Sequence, residues 1–198
     1  MVNVSEEQSR KVAEEARETT WEQPSFMREM FLGNFRLDLI HPYPELELQR
    51  SEFVEFYRQF EDFLRDEVDP VEIDETGEYP QSVIDGLARL GAFGLKIPKE
   101  YGGLGFDQVE YAQIMELVGA HDGNVMALLS AHQSIGVPQP VKLFGTEELQ
   151  KKFLPMCARG DISAFALTEP DVGSDPARLA TTAVLEGDFY VLNGRKLW

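Results

Sequence analysis

Ala164-Phe165-Ala166-Leu167-Thr168-Glu169-Pro170-Asp171-Val172-Gly173-Ser174-Asp175 is the stretch on which the reading of this chain turns. Its first half alternates large and small apolar residues and ends in a threonine, the pattern of a buried strand running to a sheet edge. Its second half is a polar turn with a proline and a glycine. Such a strand delivers backbone N–H groups, a hydroxyl and a glycine to one edge. That edge can hold a flat, electron-rich ring and a phosphate: the ring needs donors where negative charge gathers, and the phosphate needs small residues so that backbone can approach. An ordinary strand and turn has the same pattern, and pattern alone favours that plainer reading.

Downstream the strand period continues. Residues 180–186 and 189–193 read as two more strands, joined by the short hairpin loop Glu186-Gly187-Asp188. Upstream the period is helical. Phe53, Phe56, Tyr57, Phe60, Phe63 and Leu64 fall on one face of a helix over 51–68, which Asp69-Pro70 should stop. Residues 71–79 read as an acidic loop, and Pro80 starts a helix over 80–91. Gly102-Gly103-Leu104-Gly105 lacks the spacing of a nucleotide fingerprint and reads as a tight turn. Asp107 and Glu110 form a capping box for a helix over 107–121. Residues 124–137 are apolar on nearly every side, which marks the most buried helix, ended by Pro138 and Pro140. Thr146 caps a helix over 146–159. Helices followed by strands give an α+β chain with segregated layers, an up-and-down helical bundle and then antiparallel strands. The expected division is an N-terminal extension (1–40), a helical domain (41–160) and the start of a β domain (161–198).

The front of the chain is less structured in expectation. Residues 5–20 hold few apolar side chains and read as a frayed helix or a disordered segment. Phe26, Met27, Met30, Phe31, Leu32 and Phe35 carry enough apolar surface that their segment should dock on something. His41-Pro42-Tyr43-Pro44 is a rigid, extended connector.

With 43% hydrophobic residues in 198, the chain can bury a sizeable core. Its net charge of −17 is uneven: residues 1–80 carry 21 acidic and 8 basic side chains. That balance disfavours nucleic acid and anionic membrane as partners. Cys157 is the single cysteine, so no disulfide framework exists. No apolar run approaches the roughly 20 residues of a membrane span, and the acidic N-terminus is unlike a signal peptide. A reducing, bacterial cytoplasm follows as the expected location. None of the three histidines has a partner at metal-ligand spacing. His132 reads as a hydrogen-bonded core residue, His41 as exposed, and His121-Asp122 as a helix junction with a capping role.

The string F-x-L-T-E-P-x-x-G-S-D resembles the flavin-binding segment of the acyl-CoA dehydrogenase family. The likeness continues in Leu192-Asn193-Gly194-Arg195-Lys196-Leu197-Trp198, and upstream in Pro98-Lys99-Glu100-Tyr101-Gly102-Gly103-Leu104-Gly105, Phe144-Gly145-Thr146-Glu147-Glu148-Leu149-Gln150 and Leu154-Pro155. It covers roughly Phe26 to Trp198. Ala131-His132-Gln133-Ser134-Ile135-Gly136 and the Met30-Phe31-Leu32-Gly33 leader are most similar to the very-long-chain branch.

The resemblance implies FAD as cofactor and α,β-dehydrogenation of fatty acyl-CoA thioesters in β-oxidation. It also makes the strands the first of an incomplete antiparallel β domain. By the family pattern, Phe165 and Leu167 line the ring, the N–H groups near Leu167 and Thr168 with the Thr168 hydroxyl supply donors, Ala166 belongs to the same cofactor-binding segment, and Gly173 and Ser174 lie by the pyrophosphate. Ser174 also lies close to the bound thioester, and Trp198 packs flat on the ring. The family's base is a glutamate on a C-terminal helical domain, so no residue here is catalytic, and these 198 residues alone are expected not to oxidise acyl-CoA. An electron-transfer flavoprotein is the implied acceptor and a homo-oligomer the implied assembly. An acyl-CoA oxidase or related flavoenzyme on the same scaffold is the sister reading. A truncated, non-catalytic helical interaction module is the rival of another class.

Overall fold

A computed structural model of the chain describes Glu7, Lys11 and residues 24–42 and 50–197. The expectations for residues 5–20 fall almost wholly outside these, as do Tyr43 and Pro44 of the connector and Trp198. The chain divides into two compact units, Leu48–Phe165, and Met1–Glu47 together with Ala166–Trp198.

In the second of these units, helix α1 (Phe26–Phe31) is capped by the Ser25 side chain. Phe26 meets Phe35 edge-on at 5.8 Å. The expected docking of this segment is not seen among the described residues: Phe31 is 82% exposed and Phe35 69%. The only sheet among the described residues is the antiparallel hairpin of β1 (Thr182–Glu186) and β2 (Phe189–Asn193), with Val184 opposite Val191. Gly187 turns it at φ +62°, a left-handed backbone that glycine adopts without steric cost.

The helical unit is built on α2 (Ser51–Glu67). Its buried residues, Phe53, Phe56, Phe60, Phe63 and Leu64, follow the i, i+3, i+7 spacing of one helical face. Phe60 stacks between Phe56 at 5.4 Å and Phe63 at 6.3 Å. Phe106, from the loop after the glycine turn, packs edge-on against both Phe53 and Phe56. Helix α3 (Pro70–Thr76) corrects the expected acidic loop. Asp69 accepts from the Val71 and Glu72 N–H groups, and Pro70 occupies the first turn, where its missing N–H costs nothing. In α4 (Gln81–Leu90), Gly86 lies against α2: a Cβ there would come 2.2 Å from a Phe63 ring carbon.

Helix α5 (Gln108–His121) opens with the expected capping box of Asp107 and Glu110. Arg50 adds a second partner, its Nε donating to Glu110 Oε1 at 2.8 Å, so the start of α2 is tied to the start of α5. Asp122 alone separates α5 from α6 (Gly123–Ser134) and caps it through the Val125 N–H. In α6 Leu129 is fully buried and Leu128 packs half-buried on the core, but Ala127 and Ala131 face solvent. The aromatic face of α2 and the inner side of α6 both contribute to the core. Helix α6 ends at Ser134, before the prolines expected to end it, and Pro138 instead starts α7 (Pro138–Phe144). Thr146 caps α8 (Glu147–Ala158), on which Leu154, Cys157 and Ala158 form a second small core with Ile97. Among the described residues no helix is long and apolar enough to cross a membrane.

Candidate functional site

Residues 162–168 do not form the strand expected of them. A strand is made by ladder hydrogen bonds, and among the described residues no partner strand lies beside this run. What order it has comes from its end. Glu169 and Val172 exchange backbone hydrogen bonds of 2.9 and 3.1 Å, closing the Pro170-Asp171 turn and setting Thr168 and Gly173 at its two feet.

The turn is held by the Glu169 side chain, which is 5% exposed. Its carboxylate accepts the Ala180 N–H at 2.7 Å, the Thr181 N–H at 3.1 Å and the Lys196 ammonium at 3.0 Å, and it also accepts the Thr181 hydroxyl. Lys196 donates a second bond to the Leu167 carbonyl at 2.9 Å, and the Leu197 N–H reaches the Thr168 carbonyl at 2.9 Å. So the run after β2 lies along residues 167–169. Gly194 permits this approach: a Cβ there would stand 2.0 Å from Thr181 Oγ1 and push the hydroxyl off the carboxylate.

These donors hold the Glu169 carboxyl at about 2, far below its ordinary 4.5. The Thr181 hydroxyl bond contributes most, then the Ala180 N–H, against an opposing desolvation effect, with Lys196 and the Thr181 N–H adding to the depression. A general base works best near the operating pH with a lone pair free. Glu169 has neither property and is a structural hub. Because its folded pKa is depressed, the stability it lends is present above about 4.5 and lost as pH falls from there towards about 2. Amide exchange at Ala180 and Thr181 is therefore expected to lose protection over that window. A Glu169→Gln protein should show no such acid step; the same step in both would assign it to another group.

The carbonyls of Leu167 and Thr168 are engaged, but the N–H groups of residues 165–168 find no partner among the described residues. Unpaired backbone donors beside a fixed turn are what a developing negative charge requires. Phe165, the last residue of the helical unit, is 55% exposed, Leu167 is half-buried, and Ala166 and Thr168 are exposed. Gly173 and Ser174 are exposed, and a Cβ on Gly173 would meet nothing within 4 Å. The backbone at Gly173 is open to close approach by a ligand. The residues present thus fit an electron-rich ring and a phosphate. Glu169, Thr181 and Lys196 carry the arrangement; Glu169 and Lys196 stand in the quoted motifs, where Glu169 is tempting as a base but precedes a proline in a turn, and Thr181 carries no signal. Lys196 pairs with a residue 27 positions away, which no local spacing signals.

Elsewhere, His132 is 1% exposed and bonded to Ser163 as a core histidine, and burial pushes its pKa down. Cys157 is buried, and burial pushes its thiol pKa up. Among the described residues no group of three or more His, Cys, Asp or Glu is placed to hold a metal ion.

Comparison with known proteins adds a family match. The model for the acyl-CoA dehydrogenase N-terminal domain matches residues 50–161. The probable acyl-CoA dehydrogenase FadE10 of Mycobacterium tuberculosis is 52% identical over 198 residues, covering 98% of this chain and 30% of that protein. Human mitochondrial very long-chain specific acyl-CoA dehydrogenase is 41% identical over 182 residues, covering 89% of this chain and 28% of that protein. The crystal structure of an acyl-CoA dehydrogenase from Bacillus anthracis complexed with FAD superposes with a TM-score of 0.65 at 39% identity, covering 76% of this chain and 26% of that one. The chain spans about a third of the length of these relatives.

Proposed function

This chain belongs to the acyl-CoA dehydrogenase family, and from that premise we propose that it is the N-terminal portion of an FAD-dependent enzyme that introduces an α,β double bond into fatty acyl-CoA thioesters. The observation that carries the reading is the run of backbone N–H groups on residues 166–168, beside the turn held by the Glu169–Lys196 pair. FAD, when bound, supplies the acceptor for the hydride that leaves the acyl β-carbon.

The roles of this chain's own residues follow. The N–H groups of Leu167 and Thr168, with the Thr168 hydroxyl, offer donors to the electron-rich side of the ring. Phe165, Ala166 and Leu167 line the ring and keep water from it, and Trp198 stacks on it. Gly173 and Ser174 admit the pyrophosphate, and Ser174 also lies near the thioester. None of them takes the α-proton: on this reading a glutamate of a C-terminal helical domain, beyond Trp198, is the base. Residues 41–160 are then the helical domain and residues 161–198 open the middle β domain, behind an extension over 1–40. An electron-transfer flavoprotein accepts the electrons, the enzyme is a homo-oligomer, and it works in the bacterial cytoplasm in fatty acid β-oxidation.

The test is to purify the full-length gene product, record its visible spectrum, and assay it with palmitoyl-CoA. A flavin spectrum and reduction of an artificial electron-accepting dye are expected. Rapid oxygen consumption without dye would move the assignment to an acyl-CoA oxidase. A protein with neither flavin nor turnover would leave a helical interaction module.

A further inference from the structure

His132 is an expensive residue for its place. The ring lies edge-on to Phe93 at 5.4 Å and is 1% exposed, a setting that an apolar side chain would fill without polar cost. Its Nδ1 faces the Ser163 N–H at 3.1 Å and the Ser163 hydroxyl at 2.9 Å. A backbone N–H can only donate, so Nδ1 is an acceptor, the imidazole is neutral, and its hydrogen is on Nε2. Nε2 is buried and makes no hydrogen bond of ordinary geometry among the described residues, although the backbone of Cys157 and Phe93 lies close enough to the ring to favour its charged form. Packing does not account for such a ring; what Nδ1 holds does.

What it holds is one residue of the chain leaving the helical unit. Ser163 Oγ also accepts the Val137 N–H at 3.0 Å, from the loop after α6. Gly136 stands between them, where a Cβ would lie 2.4 Å from Ser163 Oγ. Ser163 is thus gripped on both its backbone N–H and its hydroxyl by the end of α6 and the loop that follows. The grip lies two residues before Phe165, in a run with no ladder hydrogen bonds of its own. Every bond in it lies within the unit Leu48–Phe165.

We propose that His132 is a positioning residue, which through Ser163 fixes the chain immediately upstream of the segment 165–174. This rests on the reading of that segment as the flavin edge. His132 need not touch cofactor or substrate to act; it sets the course of the chain towards Phe165, the last residue of its own unit.

The experiment uses the full-length gene product and three variants. His132→Phe keeps an aromatic ring, somewhat larger than imidazole, and removes the acceptor. His132→Asn places a carbonyl oxygen near the Nδ1 position and restores it. Ser163→Ala keeps the Ser163 N–H and removes the hydroxyl. In His132→Phe, exchange of the Ser163 amide is expected to rise about tenfold and flavin affinity to fall. In His132→Asn both should return towards the parent values, a rescue that a merely space-filling role would not give. In Ser163→Ala the Val137 amide should exchange faster while the Ser163 amide stays protected. Unchanged Ser163 exchange in His132→Phe overturns the grip. Faster exchange with unchanged flavin affinity overturns the positioning role. If the parent protein binds no flavin, the proposed function fails, and the positioning role with it, while the Ser163 exchange still decides the grip.

Discussion

Replacing Phe60 with alanine is expected to cost about 3–5 kcal/mol, at the top of the range for a single core truncation. The ring is fully buried and stacked on both Phe56 and Phe63, so its removal takes away its own transfer free energy and leaves a cavity between two rigid rings. Aromatic side chains fixed by several neighbours relax little into such a space. Set against a typical total of about 5–15 kcal/mol, the loss is a large share of the stability. Urea unfolding followed by circular dichroism should show a lower midpoint with an unchanged slope. A shift worth less than about 1 kcal/mol, the range of ordinary substitutions, would mean that the aromatic face of α2 contributes little to the core.

The second large effect falls on activity. Glu169→Ala removes the acceptor shared by Ala180, Thr181 and Lys196 and so frees the turn between Thr168 and Gly173. Misplacement of reacting groups by about 1 Å costs on the order of 100-fold in rate, and dye reduction with palmitoyl-CoA should fall by roughly that factor. Flavin affinity should fall with it, while the far-ultraviolet signal of the helices stays unchanged. Glu169→Gln should be intermediate: it keeps one acceptor oxygen, but its amide N–H groups meet other donors. An alanine protein with full activity would show that the hub does not set the edge.

The helices were legible because their signals are local. The aromatic spacing of α2, the capping box at Asp107 and the Thr146 cap each lie within a turn or two of chain. Two misreadings came from prolines and acids taken as breakers. Asp69 and Pro70 do end α2, but the same pair starts α3, and Gly77 closes it at φ +68°. Pro138 likewise starts α7, where a proline in the first turn is tolerated. Helix α6 buries four of its twelve residues, a larger share than any other α-helix among the described residues, although small residues such as Ala127 and Ala131 face solvent at little cost. The strand over 162–168 failed for a different reason. Its alternation is a statement about partners, and among the described residues none pairs with it.

At the candidate site the resemblance located the stretch, and local chemistry explained its donors and its glycine. The hub was not legible. Glu169 and Lys196 are 27 residues apart, and their pairing is a product of how the run after β2 is laid along residues 167–169. A carboxylate in a polar turn is usually solvated, and only the folded chain shows that its acceptor sites are filled.

Amide exchange at Leu167 and Thr168 in the full-length protein, with and without bound FAD, tests the central claim most directly. The two N–H groups have no partner among the described residues, so without FAD they should exchange rapidly for their exposure. Bound FAD should slow both, and residues distant from 165–174 should change little. Stoichiometric FAD binding that leaves Leu167 and Thr168 unprotected would contradict the account, because the flavin would then lie somewhere other than this edge.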